Sequence, residues 1–93
     1  MAWSDEPTYA QIETVHRWIK WHMSNKEASC ATHWLKEHAT RKEVSDEIKR
    51  LHDLYYDHKL TKEECLNSDV WDGYEYDEGY IMPEVKVVVD YGR

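Results

Sequence analysis

Phenylalanine is absent from this 93-residue chain, and glycine, proline and cysteine are scarce at three, two and two. Each shortage excludes something. All three glycines lie beyond residue 72, so there is no glycine-rich phosphate loop and no dinucleotide fingerprint at the start of a helix. Two distant cysteines, Cys30 and Cys65, cannot form the dense disulfide framework of a small secreted scaffold. They are expected to be reduced and buried. No apolar run approaches the roughly 20 residues of a membrane-spanning helix, and no apolar stretch follows the first methionine. A soluble protein of the cytoplasm is therefore expected, and no membrane partner.

Basic charge is also in short supply, and unevenly so. The formal net charge is −7. Residues 1–67 hold 12 acids and 10 bases, a balance of −2, whereas residues 68–93 hold 7 acids and 2 bases, a balance of −5. Between Asp69 and Glu84 stand six acids and no base. A nucleic-acid binder carries the opposite sign along its contact face, so direct nucleic-acid binding is disfavoured.

In place of phenylalanine there are 5 Trp and 7 Tyr. These side chains bring apolar mass with a polar handle and suit core margins and interfaces. The chain is long enough for one domain only, since halves of it are too small to bury a core unaided.

Helix signals dominate the first two-thirds. Thr8 and Gln11, Ser24 and Glu27, Thr40 and Glu43, and Thr61 and Glu64 repeat the spacing at which a side chain caps a helix start. An apolar-periodic run follows each of the four pairs. The first contains Ile12, Val15, Ile19 and Met23, with Trp18 beside them and Trp21 off the stripe as a candidate exposed aromatic. The second contains Ala28, Ala31 and Leu35, with Trp34 as a further candidate. Val44, Ile48, Leu51, Leu54 and Tyr55 make the third, and a short fourth helix runs from Thr61 to Leu66.

After residue 67 the pattern changes. Val85, Val87, Val88 and Val89 predict a strand over Val85–Tyr91, and Asp72–Gly73 between Val70–Trp71 and Tyr74–Tyr76 predicts a tight hairpin. The expected fold is mainly α, three amphipathic helices plus a short fourth, with a small C-terminal β-hairpin or strand (α+β). It is a single domain over 1–93, with a helical body at 1–67 and an acidic, aromatic β appendage at 68–93.

The stretch from Leu51 to Cys65, LHDLYYDHKLTKEEC, resembles the helix–turn–helix half of the short C-terminal oligomerisation module. Shared are two leucines three apart, a turn residue, an aliphatic, then Thr and acids. His58 stands where the family places Gly, and Cys65 where it places Phe. The resemblance implies self-association.

Chemistry-bearing clusters are few. Cys30 and His33 lie three apart on one helix, with His38 further on and Cys65 elsewhere, but the paired short spacings of a zinc site are missing. Aligning SDVWDGYEYDEGY as a calcium loop with Gly73 sixth puts Val70 and Gly79 at ligand positions, so that spacing fails. Neither a metal, a cofactor nor a catalytic residue is assigned, and an enzyme is not expected.

What remains is the acidic, aromatic stretch. One expectation is a solvated segment whose rings cover the helices. The other is a docking surface made of Asp69, Trp71, Asp72, Tyr74, Glu75, Tyr76, Asp77 and Glu78. Its carboxylates would pair with Arg or Lys of a partner while its rings fill pockets between them. The expected function is an inhibitor or nucleic-acid mimic on a basic, nucleic-acid-handling surface. In general character it is similar to phage-encoded anti-defence factors such as anti-CRISPR proteins, which act in the bacterial cytoplasm. The alternative is a helical self-associating adaptor or regulatory protein, and a further one is a zinc-stabilised small domain.

Overall fold

The computed structural model describes residues 5–82, and these are mainly helical. α1 spans Tyr9–Ile19, α2 Asn25–His38, α3 Arg41–Tyr56 and α4 Lys62–Cys65, followed by a single 3-10 turn at Asp69–Trp71. All four expected caps are in place. The hydroxyls of Thr8, Ser24, Thr40 and Thr61 accept from the backbone N–H of Gln11, Glu27, Glu43 and Glu64. At Thr8 and Thr40 the third residue's side chain also closes back on the cap N–H, completing the reciprocal box. Each cap satisfies donors that the first helical turn leaves orphaned, worth about 1 kcal/mol apiece.

α3 ends on a Schellman motif. His58 N–H donates to Tyr55 O at 3.0 Å, Lys59 N–H donates to Leu54 O at 2.9 Å, and His58 takes the left-handed conformation at φ 59°. A histidine occupies the position for which glycine is normally selected.

α1 packs against both α2 and α3. Val15, Ile19, Ala28, Ala31, Leu35, Val44 and Leu51 fill the space between them, each fully buried. Fully burying a Val, Leu or Ile contributes about 1.5–3 kcal/mol. The α2 side of this core is small, with Ala28 and Ala31 beside Leu35, and the chain has no phenylalanine. Cys65 and Trp71, both from beyond α3, complete it. The chain before α1 straps the α2–α3 junction: Arg41 N–H donates to Asp5 O at 2.6 Å and Arg41 Nε to Glu6 O at 3.2 Å.

Two expectations change. The stripe of α3 does not stay buried to its end: Leu54 is half-buried and Tyr55 exposed. The hairpin at Asp72–Gly73 does not form, and the described residues contain no strand. Asp72 has φ −60° and ψ 125°, Gly73 has φ 90°, and Tyr74 N–H donates to Trp71 O at 2.9 Å. That is a type II turn. Two-residue hairpins use the primed turns, whose twist matches that of paired strands, and a type II turn splays the flanks apart. The strand expected at Val85–Tyr91 lies outside the described residues. No described helix is long and apolar enough to cross a membrane.

Candidate protein-binding site

The segment that follows α4 is held on α3 by one buried carboxylate. Glu47 is 3% exposed and sits on the apolar face of α3, three residues after Val44 and four before Leu51. Its Oε1 accepts from Arg50 Nε at 2.9 Å and from Ser68 Oγ at 2.9 Å. Its Oε2 accepts from Arg50 Nη2 at 2.5 Å and from the Trp71 indole Nε1 at 2.7 Å. Four donors therefore converge on one carboxylate, which is how a buried charge is tolerated.

Arg50 extends the clamp. Its Nη1 donates to Glu64 O and its Nη2 to Cys65 O, both at 2.7 Å, so the guanidinium closes the carbonyl end of α4. Hydrogen bonding to Glu47 raises the Arg50 pKa above its ordinary value. Burial pushes the adjacent Cys65 thiol up to about 11. On the other side of α4, Lys62 Nζ meets Glu27 Oε2 at 2.6 Å, and that bond holds the Glu27 carboxyl below its usual range.

Beyond the clamp, rings carry the segment across α2. Trp71 lies 6.3 Å from Trp34 in a stacked arrangement, and Tyr74 meets both edge-on at 5.6 and 5.7 Å. Burial pushes the Tyr74 phenol above its ordinary pKa, with the Cys30 thiol beside it. Further along, Lys26 Nζ donates to Glu78 O at 2.7 Å, and the Tyr80 and Ser29 hydroxyls share a hydrogen bond at 3.2 Å. Asp77 Oδ1 accepts from Gly79 N–H at 2.9 Å and shapes the turn before Tyr80.

The eight residues expected to form a docking surface divide by chemistry. Asp69, Asp72, Glu75, Asp77 and Glu78 are all exposed, and none forms an ion pair with a basic side chain among the described residues. Tyr74 and Tyr76 are half-buried. Trp71 is 4% exposed and belongs to the core, so its ring is not available to a partner's pocket. The indole packs on the helical core, and Glu47 provides the acceptor that a buried indole N–H requires. Sequence reasoning missed Glu47, Arg50 and Ser68. The available signal was a carboxylate set inside the apolar stripe of α3, between Val44 and Leu51.

The cysteines are free and buried as expected. His33 faces Glu37 and Tyr80, and His38 stacks on Trp34, so neither joins Cys30 and Cys65 in a shared cluster. No group of three or more metal-ligating side chains is gathered among the described residues.

No protein-family model, curated protein or solved structure matches the chain.

Proposed function

We propose that this chain is a non-catalytic, acidic binding factor that occupies a basic, nucleic-acid-handling surface of a partner protein, as an inhibitor or nucleic-acid mimic. The observation that carries the reading is the set of five exposed carboxylates at Asp69, Asp72, Glu75, Asp77 and Glu78, on a backbone tied down by Glu47, Trp71, Tyr74 and Tyr80. Exposed acids on a loose tail confer solubility. Acids on a fixed segment present a defined charge pattern, and fixing it in advance lowers the ordering cost of binding.

The physical consequences follow from charge. A segment rich in acids, on a protein of net charge −7, is steered toward a positive cleft and speeds encounter at low salt. Screening over a Debye length of about 8 Å at physiological ionic strength makes the association fall off as salt is raised. Trp71 and Tyr74 pack on the helices, as the first of the two expectations for this stretch has it, and the carboxylates are exposed.

The experiment is capture of a partner by the purified chain, followed by competition with double- and single-stranded nucleic acid at fixed salt. Displacement of the chain by nucleic acid is the expected result. A partner that binds nucleic acid and the chain at the same time, without competition, contradicts the proposal.

A further inference from the structure

A groove of about 610 Å³ runs between α1 and α2. Tyr9, Ile12 and His16 line it from successive turns of α1, and Ser29 and His33, four apart, line it from α2. Tyr80 and Met82, from the segment that follows α4, line it as well. Tyr80 is held there, with its hydroxyl on Ser29 and its ring 6.2 Å from His33. Apolar surface is left open at this place: Tyr9 is 81% exposed, and Ile81, between the two lining residues, 86%.

The chain itself supplies an occupant. The described residues end at Met82, on the wall of the groove, and the eleven residues PEVKVVVDYGR follow it in the sequence. Their pattern alternates. In an extended chain Val85, Val87, Val89 and Tyr91 share one face, and Glu84, Lys86, Val88 and Asp90 share the other. Such a segment has one face to bury and one to leave in water. Its length also fits. Val85–Tyr91 in extended form reaches about 20 Å, and the 11 residues of α1 run about 16 Å. Attachment at Met82 holds the segment beside the groove at an effective concentration in the millimolar range, an advantage that a free partner lacks.

We infer that Val85–Tyr91 docks in extended form in the α1–α2 groove of its own chain, with Val85, Val87, Val89 and Tyr91 turned in against Tyr9 and Ile12. The helical groove then takes the place of a neighbouring strand, and the backbone polar groups along the edges of the segment stay hydrated. This goes beyond the proposed function and does not depend on it. Docking ties the acidic segment down at its far end, as Glu47 does at its start.

The test is NMR of the full chain with labelled valine methyl groups, at a concentration well below the millimolar range that the tether supplies. Nuclear Overhauser contacts are expected from the methyls of Val85, Val87 and Val89 to Tyr9, Ile12 and His16, and none from Val88. A mixture of labelled and unlabelled chains is expected to show no such contact between copies. Val87→Asp, on the inward face, abolishes the contacts of the whole segment, whereas Val88→Asp, on the outward face, keeps them. The methyl shifts of the core residues Val15 and Val44 stay unchanged in both variants, which shows that the helical body remains folded. Tyr9→Ala, which removes an exposed ring from the groove wall, weakens the contacts from the other side. Absence of any contact between these valines and the groove overturns the inference. Contacts found only between copies assign the groove to a second chain's segment and overturn it too, as does equal loss in Val87→Asp and Val88→Asp. Reversal of Asp72, Glu75, Asp77 and Glu78 leaves the contacts in place, which separates failure of this inference from failure of the proposed function.

Discussion

Replacing Glu47 by alanine removes the acceptor on which Arg50, Ser68 and the Trp71 indole converge. The cost can be worked from what is left behind. The Trp71 N–H, on a side chain 4% exposed, loses its partner, and an unsatisfied buried donor costs about 1–3 kcal/mol. Arg50 loses its counter-charge, for which breaking a buried pair costs about 3–5 kcal/mol. Its side chain is 26% exposed and keeps two carbonyl acceptors, so the lower end of that range applies. The two losses overlap, and Glu47→Ala is expected to cost about 3–4 kcal/mol in total. For a 93-residue domain of roughly 5–14 kcal/mol stability, that is a large share. Glu47→Gln keeps the shape and an acceptor but loses the charge, so it falls between wild type and alanine. Urea unfolding followed by far-UV circular dichroism measures the loss. Tryptophan fluorescence reports whether Trp71 has left the core. A Glu47→Ala cost below about 1 kcal/mol, with fluorescence unchanged, would refute the clamp as the device that fixes the segment.

His58→Gly relieves a non-glycine residue at φ 59° and is expected to stabilise the fold by about 1 kcal/mol, read as a higher urea midpoint at unchanged slope. Gly73→Ala does the reverse. No atom crowds the added methyl, so the expected loss of about 1–2 kcal/mol is purely the cost of holding φ at 90°. Cys65, with its thiol pushed up to about 11 and fully buried, is expected to react with a disulfide reagent at pH 8 only as fast as the protein unfolds. His16 gives a pH dependence of definite sign. Burial, then Lys20, depress its folded pKa below 6.5, against a smaller opposing effect of Glu13, so the unfolded chain takes up the proton first. Its contribution is therefore complete above about pH 6.5 and is lost as pH falls through that value toward the folded pKa. Melts of wild type and His16→Gln are expected to diverge from pH 7.5 to 5.5, with wild type losing more.

Local rules made the helical body legible. A cap needs only a hydroxyl and a backbone N–H three residues away, so Thr8, Ser24, Thr40 and Thr61 announce four helix starts without knowledge of the rest. Trp21 is exposed as expected, but it lies past α1, which ends at Ile19, and not on that helix's outer face. Long-range partners are a different matter. Glu47 and Trp71 are 24 residues apart, and nothing local to either states that a carboxylate on an apolar face awaits an indole. Trp71 looked like an interface ring for the same reason that it can join the core: an indole carries large apolar area and one donor, and Glu47 satisfies that donor. Asp72–Gly73 suggested a hairpin because that dipeptide suits a type I′ turn, but Asp72 at φ −60° leaves only Gly73 with positive φ. The five carboxylates are exposed, and of the groups that hold their segment the sequence marked the rings but not Glu47, Arg50 and Ser68.

The central claim concerns where the charge is placed, and it separates from net charge by comparing two variants of equal total charge. One reverses Asp72, Glu75, Asp77 and Glu78 to lysine, and the other reverses Glu13, Glu37, Asp46 and Glu63, which are exposed on the helices. Binding to the captured partner is measured for both by titration calorimetry across a salt series. Loss of binding in the first variant, with the second close to wild type at moderate salt, is the predicted result. Equal weakening of both, or full binding by the first, contradicts it.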